Sequence, residues 1–326
     1  YSHLIRVLER FFTEKHMTNP SELNYSVSRH DTSKHIAIIG HGAIGLLWAH
    51  SLVAVGHQVT LLSHRQTLPN KKQQFITING EVVINNLTFS HVLPAAIDLV
   101  LVTTKAYQVH SALSPHLKSI SVPIILLHNG MGAIDTLAID SQHQVILATT
   151  THGALKNNNT LNHTGLGNTI IGNYQNTDKR VLQQWQHLLH TALANVETHS
   201  NIKQPLLLKL AINCVINPLT AIHQCKNGEL LNESFQPQID TLIAELQQII
   251  SKLDDDWPYD EISLKKVIMA VAKATANNYS SMAQDVKYQR RTEIEFINGY
   301  LISKSHQLGI NLIENSKLVA TLPADS

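Results

Sequence analysis

The stretch "HIAIIGHGAIGLLWAHSLVAVGHQVTLLSHR", residues 35 to 65, constrains this chain more than any other. Residues 35 to 39 are a short apolar, β-branched run, the pattern of a buried parallel strand. Gly40-His41-Gly42-Ala43-Ile44-Gly45 follows, with the spacing G-x-G-x-x-G. Helix-forming residues then run to Val55, Gly56 stops them, and "HQVTLL" reads as a second strand. A glycine run alone says little. Between a strand and a helix it is the fingerprint of a dinucleotide-binding turn. Gly40 permits the tight turn, Gly42 lets a pyrophosphate approach the backbone, and Gly45 lets helix and strand pack closely. The free N–H groups and positive dipole end of the helix then face the phosphates.

The end of the second strand bears on which dinucleotide fits. An NAD site usually carries an acid there to hold the ribose 2′-hydroxyl. Here stand Ser63, His64 and Arg65, with no acid. An arginine fork can grip a 2′-phosphate that a carboxylate would repel. The cofactor expected is therefore NADP, read by Arg65 or by its neighbour His64.

Further strands are expected at 98–104, 123–129 and 144–153, separated in part by helical stretches. Alternation of this kind predicts a doubly wound α/β sheet of Rossmann type, with ligands at the carboxyl ends of the strands. Two of those ends are polar: "TTKAYQ" with Lys105, and "HNGMG" with Asn129. Residues 153–172 read as a hairpin-like excursion. Beyond about Ser200 helical periodicity takes over, at 201–217, 236–253, 260–275 and 290–308. The expected organisation is an extension over 1–34, a dinucleotide-binding domain over 35–200, and an all-α domain over 201–326. A cleft between the two domains is the expected ligand site.

The helical half opens on "LLLKLAINCVINPLTA". Lys209, Asn213 and Asn217 stand four residues apart, so they share one face of an otherwise apolar helix. Burying a lone charge or an unpaired amide is costly. The stripe therefore faces either water or a polar ligand. A second polar cluster, "SSMAQDVKYQRRTEIEFINGYL", places Ser280, Ser281 and Asp285 in a loop-like segment. Glu293 then opens a helix, where an acid is often only a dipole or capping partner.

Composition excludes several classes. Hydrophobic residues make up 43% and charged residues 15%, with 25 basic and 24 acidic side chains, a net charge of +1. No long basic run suggests nucleic acid. No uninterrupted run of 18 apolar residues suggests a membrane span. Cys214 and Cys225 are the only cysteines, which fits a reduced, cytoplasmic protein. His187 and His190 have helical spacing, but no ligand motif accompanies them, so no metal is expected. In the first 34 residues, Glu9 and Glu14 argue against a transit peptide, and Met17 is a candidate internal start.

The strings "IGHGAIG", "LVTTKAYQV", "LLHNGMG", "KLAINCVINPLTAI", "NGEL", "SSMAQD", "RRTEIEFINGYL" and "LGINLIENSKL" occur in an order that resembles the ketopantoate reductase family. The resemblance runs from about His35 to Leu322. It implies an NADPH-dependent oxidoreductase that reduces an α-keto acid, ketopantoate, to pantoate on the route to coenzyme A, acting as a monomer or homodimer. It implies Lys209 as the catalytic acid and Glu293 as the acid supporting it. It implies substrate contacts from Asn129, Asn213, Asn217, Asn227 and Ser281. Cofactor contacts fall to Gly40, His41, Gly42, Ala43, Ile44, Gly45, Arg65, Lys105, Asn129 and Glu293. Two rivals remain: another NADP-linked hydroxy acid dehydrogenase of the same plan, and a non-catalytic NADP-binding protein.

Overall fold

The computed structural model of the chain describes residues 33–64 and 66–322. The expected extension, apart from its last two residues, and Arg65 lie outside the described residues. The chain divides into two compact units. Among the described residues, the first holds 33–64, 66–104, 118–127 and 141–198; the second holds 105–117, 128–140 and 199–322. The division is not a single cut near residue 200, because two loops that leave the first unit's strands cluster with the helices.

The first unit begins with β1 (His35–Ile39), α1 (Ala43–Ala54) and β2 (Gln58–Leu62). There follow β3 (Lys72–Ile76), β4 (Val82–Asn86), β5 (Thr88–Ser90) and β6 (Leu99–Val102). After α2 (Val109–Leu113), which belongs to the second unit, come β7 (Ile124–Leu127), β8 (Val145–Thr150), β9 (Gly153–Asn157), β10 (Thr160–Gly165) and β11 (Thr169–Gln175). Then α3 (Lys179–Ala192) and β12 (Val196–Thr198) complete it. The main sheet has the order β12-β11-β8-β7-β6-β1-β2-β5. All its pairings are parallel except β8 with β11. Strand addition reverses direction at β1, so the sheet has its topological switch beside the glycine turn.

A second sheet, β4-β3-β10-β9, includes the expected hairpin of β9 and β10. It explains why α1 is apolar on every side. Gly45 to Leu52 are buried without interruption, because both sheets cover the helix. His50, on the side of the second sheet, stacks on Phe75 at 4.9 Å and accepts from Asn85 at 2.8 Å. Burial lowers its pKa to about 4, so it stays neutral there.

The second unit is built on α4 (Lys203–His223), α5 (Gln236–Leu253), α6 (Glu261–Ala274), α7 (Ser281–Lys287), α8 (Asn298–Gln307) and α9 (Ile313–Thr321). By length and composition α4 could cross a membrane, but most of it is buried inside this unit, against α5, α6, α7 and α9. The pattern therefore marks a core helix here. Pro218 interrupts its hydrogen-bond ladder, leaving the Cys214 carbonyl without its usual donor. Asn298 supplies the missing bond through Nδ2 at 2.9 Å. The same amide reaches Asn315 Oδ1 at 2.9 Å, and Asn315 in turn donates to Glu245 at 2.9 Å. Glu245 also accepts the backbone N–H groups of Glu314 and Asn315, which closes the amino end of α9.

Candidate active site

Each unit carries one cluster of candidate residues. In the first, Gly40 takes φ +108°, a value open mainly to glycine. A Cβ at Gly45 would stand 2.0 Å from the Gly40 carbonyl oxygen, so the close approach of helix and turn requires glycine there. A Cβ at Gly42 would meet nothing within 4 Å. Gly42 is the residue before α1 and provides no side-chain cap, and the first turn of the helix contains no acid. The turn thus leaves open space over a positive helix end, the shape and charge a pyrophosphate needs. Ala43 and Ile44 form the first turn of α1. His41 is buried beside this turn, with its Nε2 3.2 Å from Ser63 Oγ at the end of β2.

In the second unit the residues from the two strand-end loops meet those of the helices. Glu293 is buried, 3% exposed, and precedes a short 3₁₀ turn, Ile294–Phe296. The expected helix therefore opens later, at Asn298, because Ile297 (φ −103°, ψ −91°) is not helical. Glu293 makes no side-chain cap. Its Oε1 instead accepts the Ala106 N–H at 3.0 Å. Its Oε2 accepts from Lys105 Nζ at 3.1 Å and from Asn129 Nδ2 at 3.4 Å. The capping role is thereby excluded by geometry.

Asn129 is held in place by its neighbour. Gly130 has φ +74°, and a Cβ there would stand 2.4 Å from the Phe296 carbonyl oxygen. Met131 donates its N–H to that same oxygen at 2.8 Å. Only glycine lets the 128–140 loop lie this close to the Glu293 turn.

The segment read as loop-like at Ser280–Asp285 is instead the short helix α7, capped by Ser280. The Ser280 Oγ accepts the Ala283 N–H and the Thr220 hydroxyl, which ties α7 to α4 one turn beyond Asn217. Ser281 is exposed at the first position of α7. One turn on, Asp285 accepts from Lys105 Nζ at 2.7 Å and from Arg290 Nε at 3.2 Å. Burial raises the Asp285 pKa against the pull of those two cations. For Lys105, burial opposes the charge, but Glu293 and Asp285 overcome it and raise its pKa.

Lys209 behaves differently. Burial lowers its pKa to about 8, and Glu293 opposes that shift only in part. The site thus holds one lysine firmly charged and another whose proton is held less tightly than an ordinary lysine's. His128 lies in the same field. Burial lowers its pKa, the Asn129 carbonyl and Glu293 oppose the shift, and Lys209 adds to it. On the Lys209 face of α4, Asn213 is half-buried and Asn217 is 6% exposed.

Asn227 stands apart in its contacts. Its Nδ2 donates to Thr275 Oγ1 at 2.9 Å, and its N–H to the Asn278 carbonyl at 2.9 Å. Asp285 and His128 were not among the sequence-derived site residues. Their signals were weak: Asp285 lies four residues after Ser281, and His128 adjoins Asn129. Among the described residues no group of three or more His, Cys, Asp or Glu could hold a metal.

A Rossmann-type turn in one unit and a lysine–carboxylate–amide cluster in a helical unit define the class: a two-domain oxidoreductase. The chain belongs to the ketopantoate reductase PanE/ApbA family. That family's model matches residues 36–176, and the model of its C-terminal domain matches 201–324. The chain is 41% identical over 290 residues to the 2-dehydropantoate 2-reductase of Vibrio cholerae serotype O1, covering 87% of this chain and 95% of that one. It matches the crystal structure of the probable 2-dehydropantoate 2-reductase of Bacillus subtilis with TM-score 0.72 and 27% identity, over 88% of this chain and 98% of that one. A D-mandelate dehydrogenase solved with NADH and anilino(oxo)acetate shares the fold, with TM-score 0.78 and 22% identity over 88% and 97% of the two chains.

Proposed function

We propose that this chain reduces the ketone of 2-dehydropantoate to the alcohol of pantoate, with NADPH as the reductant. The observation that carries the reading is Lys209. Its pKa of about 8 sits beside the Glu293 carboxylate, on a helix face shared with Asn213 and Asn217.

A nicotinamide dinucleotide supplies the hydride when bound. The turn from Gly40 to Gly45 fits its pyrophosphate, since Gly42 leaves a cradle that a Cβ would fill. With no acid at the end of β2, the chain favours the 2′-phosphorylated form, read by Arg65 or His64.

As the ketone is reduced, negative charge grows on its oxygen. Lys209 meets that charge with an ammonium and then gives up a proton to it. Glu293 keeps Lys209 charged and positions Lys105 and Asn129 through the hydrogen bonds of its second oxygen. Asn213, Asn217 and Ser281 hydrogen-bond the substrate oxygens without adding charge. Asn227, with one of its two Nδ2 hydrogens taken by Thr275, acts through its side-chain oxygen or by holding its turn.

The test is oxidation of NADPH and of NADH by purified protein, with 2-dehydropantoate, pyruvate and an aryl keto acid offered side by side. Turnover with 2-dehydropantoate and NADPH should exceed the rest. Preference for the aryl keto acid would favour another hydroxy acid dehydrogenase of the same fold. No turnover with any substrate would leave a binding protein.

A further inference from the structure

The glycine turn has a neighbour that the motif does not predict. Lys156, on β9 of the second sheet, donates from Nζ to the His41 carbonyl at 2.9 Å. His41 is the residue between the first two glycines of the turn. Its ring is 3.2 Å from Ser63, at the strand end where the 2′-phosphate is expected. Its carbonyl, on the other hand, lies next to Gly42, where the pyrophosphate cradle opens. An ammonium on that carbonyl therefore stands at the turn itself, one residue before the pyrophosphate cradle.

The placement depends on the second sheet. The β9–β10 hairpin packs against α1, so a residue on β9 is brought to the amino end of that helix. Lys156 is half-buried, and partial desolvation strengthens its attraction for an anion. The cationic end of α1 and the ammonium then act on the same ligand from different elements.

We propose that Lys156 is a phosphate-binding residue for the dinucleotide, supplied by the second sheet rather than by the glycine motif. The proposal rests on the reading of this turn as a dinucleotide site. Three variants separate charge from hydrogen bonding. Lys156→Arg keeps both, Lys156→Gln keeps a donor without charge, and Lys156→Met keeps neither.

Dissociation constants for NADPH, NADH and 2′,5′-ADP should be measured by calorimetric titration, with melting curves to confirm intact folding. Loss of a charge-assisted contact weakens binding about tenfold or more, and the effect shrinks as salt is added. The expected result is that Gln and Met weaken binding about equally while Arg retains it. Equal losses for NADPH and NADH assign the contact to the pyrophosphate. Losses confined to NADPH and 2′,5′-ADP assign it to the 2′-phosphate. Wild-type affinity in Lys156→Gln and Lys156→Met would overturn the proposal. Absence of dinucleotide binding in the unaltered chain would overturn the underlying reading instead.

Discussion

Two lysines that feel the charge of one glutamate carry opposite pKa shifts, and that difference separates the roles proposed for them. Lys105, clamped by Asp285 and Glu293, stays charged through the whole useful range. Lys209, with a pKa of about 8, is protonated below that pH and loses its proton above it. A proton donor must be protonated, so with Lys209 in the proposed role activity is present on the acid side and lost as pH rises. We expect kcat/KM to fall about tenfold per pH unit above about 8, the slope for loss of one proton. Lys209→Ala should reduce kcat/KM by about 10²–10⁴ and abolish that limb of the profile. Glu293→Gln should also cut kcat/KM sharply. Combining the two should cost much less than the product of the single losses, because both remove one unit. Fully multiplicative losses in this double-mutant cycle would separate Glu293 from Lys209.

At the scale of elements, α4 shows how a core helix accommodates polar chemistry. Its apolar residues bury one side, Lys209, Asn213 and Asn217 occupy another, and Pro218 breaks the ladder just past the stripe. Asn298 repairs that break at the Cys214 carbonyl. Asn298→Ala should therefore destabilise the protein by about 1–3 kcal/mol, the cost of a buried acceptor left unpaired. Pro218→Ala restores a backbone N–H at the same carbonyl, so the Asn298→Ala penalty should be smaller in that background. Urea unfolding of the four proteins measures the coupling, and an unchanged penalty would mean that Asn298 acts only through Asn315 and Glu245. Much of this scale was legible. The five-residue strand β1, the stop at Gly56 and the stripe on α4 are local patterns with fixed periods. The second sheet's β3–β4 pair was not foreseen, because strands such as "VVINN" are exposed over most of their length and lack a clean alternation. The all-round apolarity of α1 hinted that something covers its outer face. It did not say what.

For the whole molecule, the two units predict a distinct response to ligand. A dinucleotide held by the turn before α1 stabilises the first unit directly. At a concentration of 100 times its Kd it should add about 2.7 kcal/mol to that unit's stability, a rise of several degrees in Tm. Scanning calorimetry of the full chain with NADPH and with NADH checks this, and a transition indifferent to both would remove the dinucleotide from the account. The sequence by itself determined the strand–turn–helix–strand opening, the individual buried strands, the change to helices, and the spacing of Lys209, Asn213 and Asn217. Each depends on neighbours within a few residues, so the order of side chains is enough to specify it. Only the tertiary structure decided what Glu293 does. As a residue near a helix start it could have been a cap. It became the centre of a cluster because loops 188 and 164 positions away in the chain bring Lys105 and Asn129 onto its carboxylate. Contacts across such separations follow from packing, such as the close approach that Gly130 permits, and no local period in the sequence encodes them.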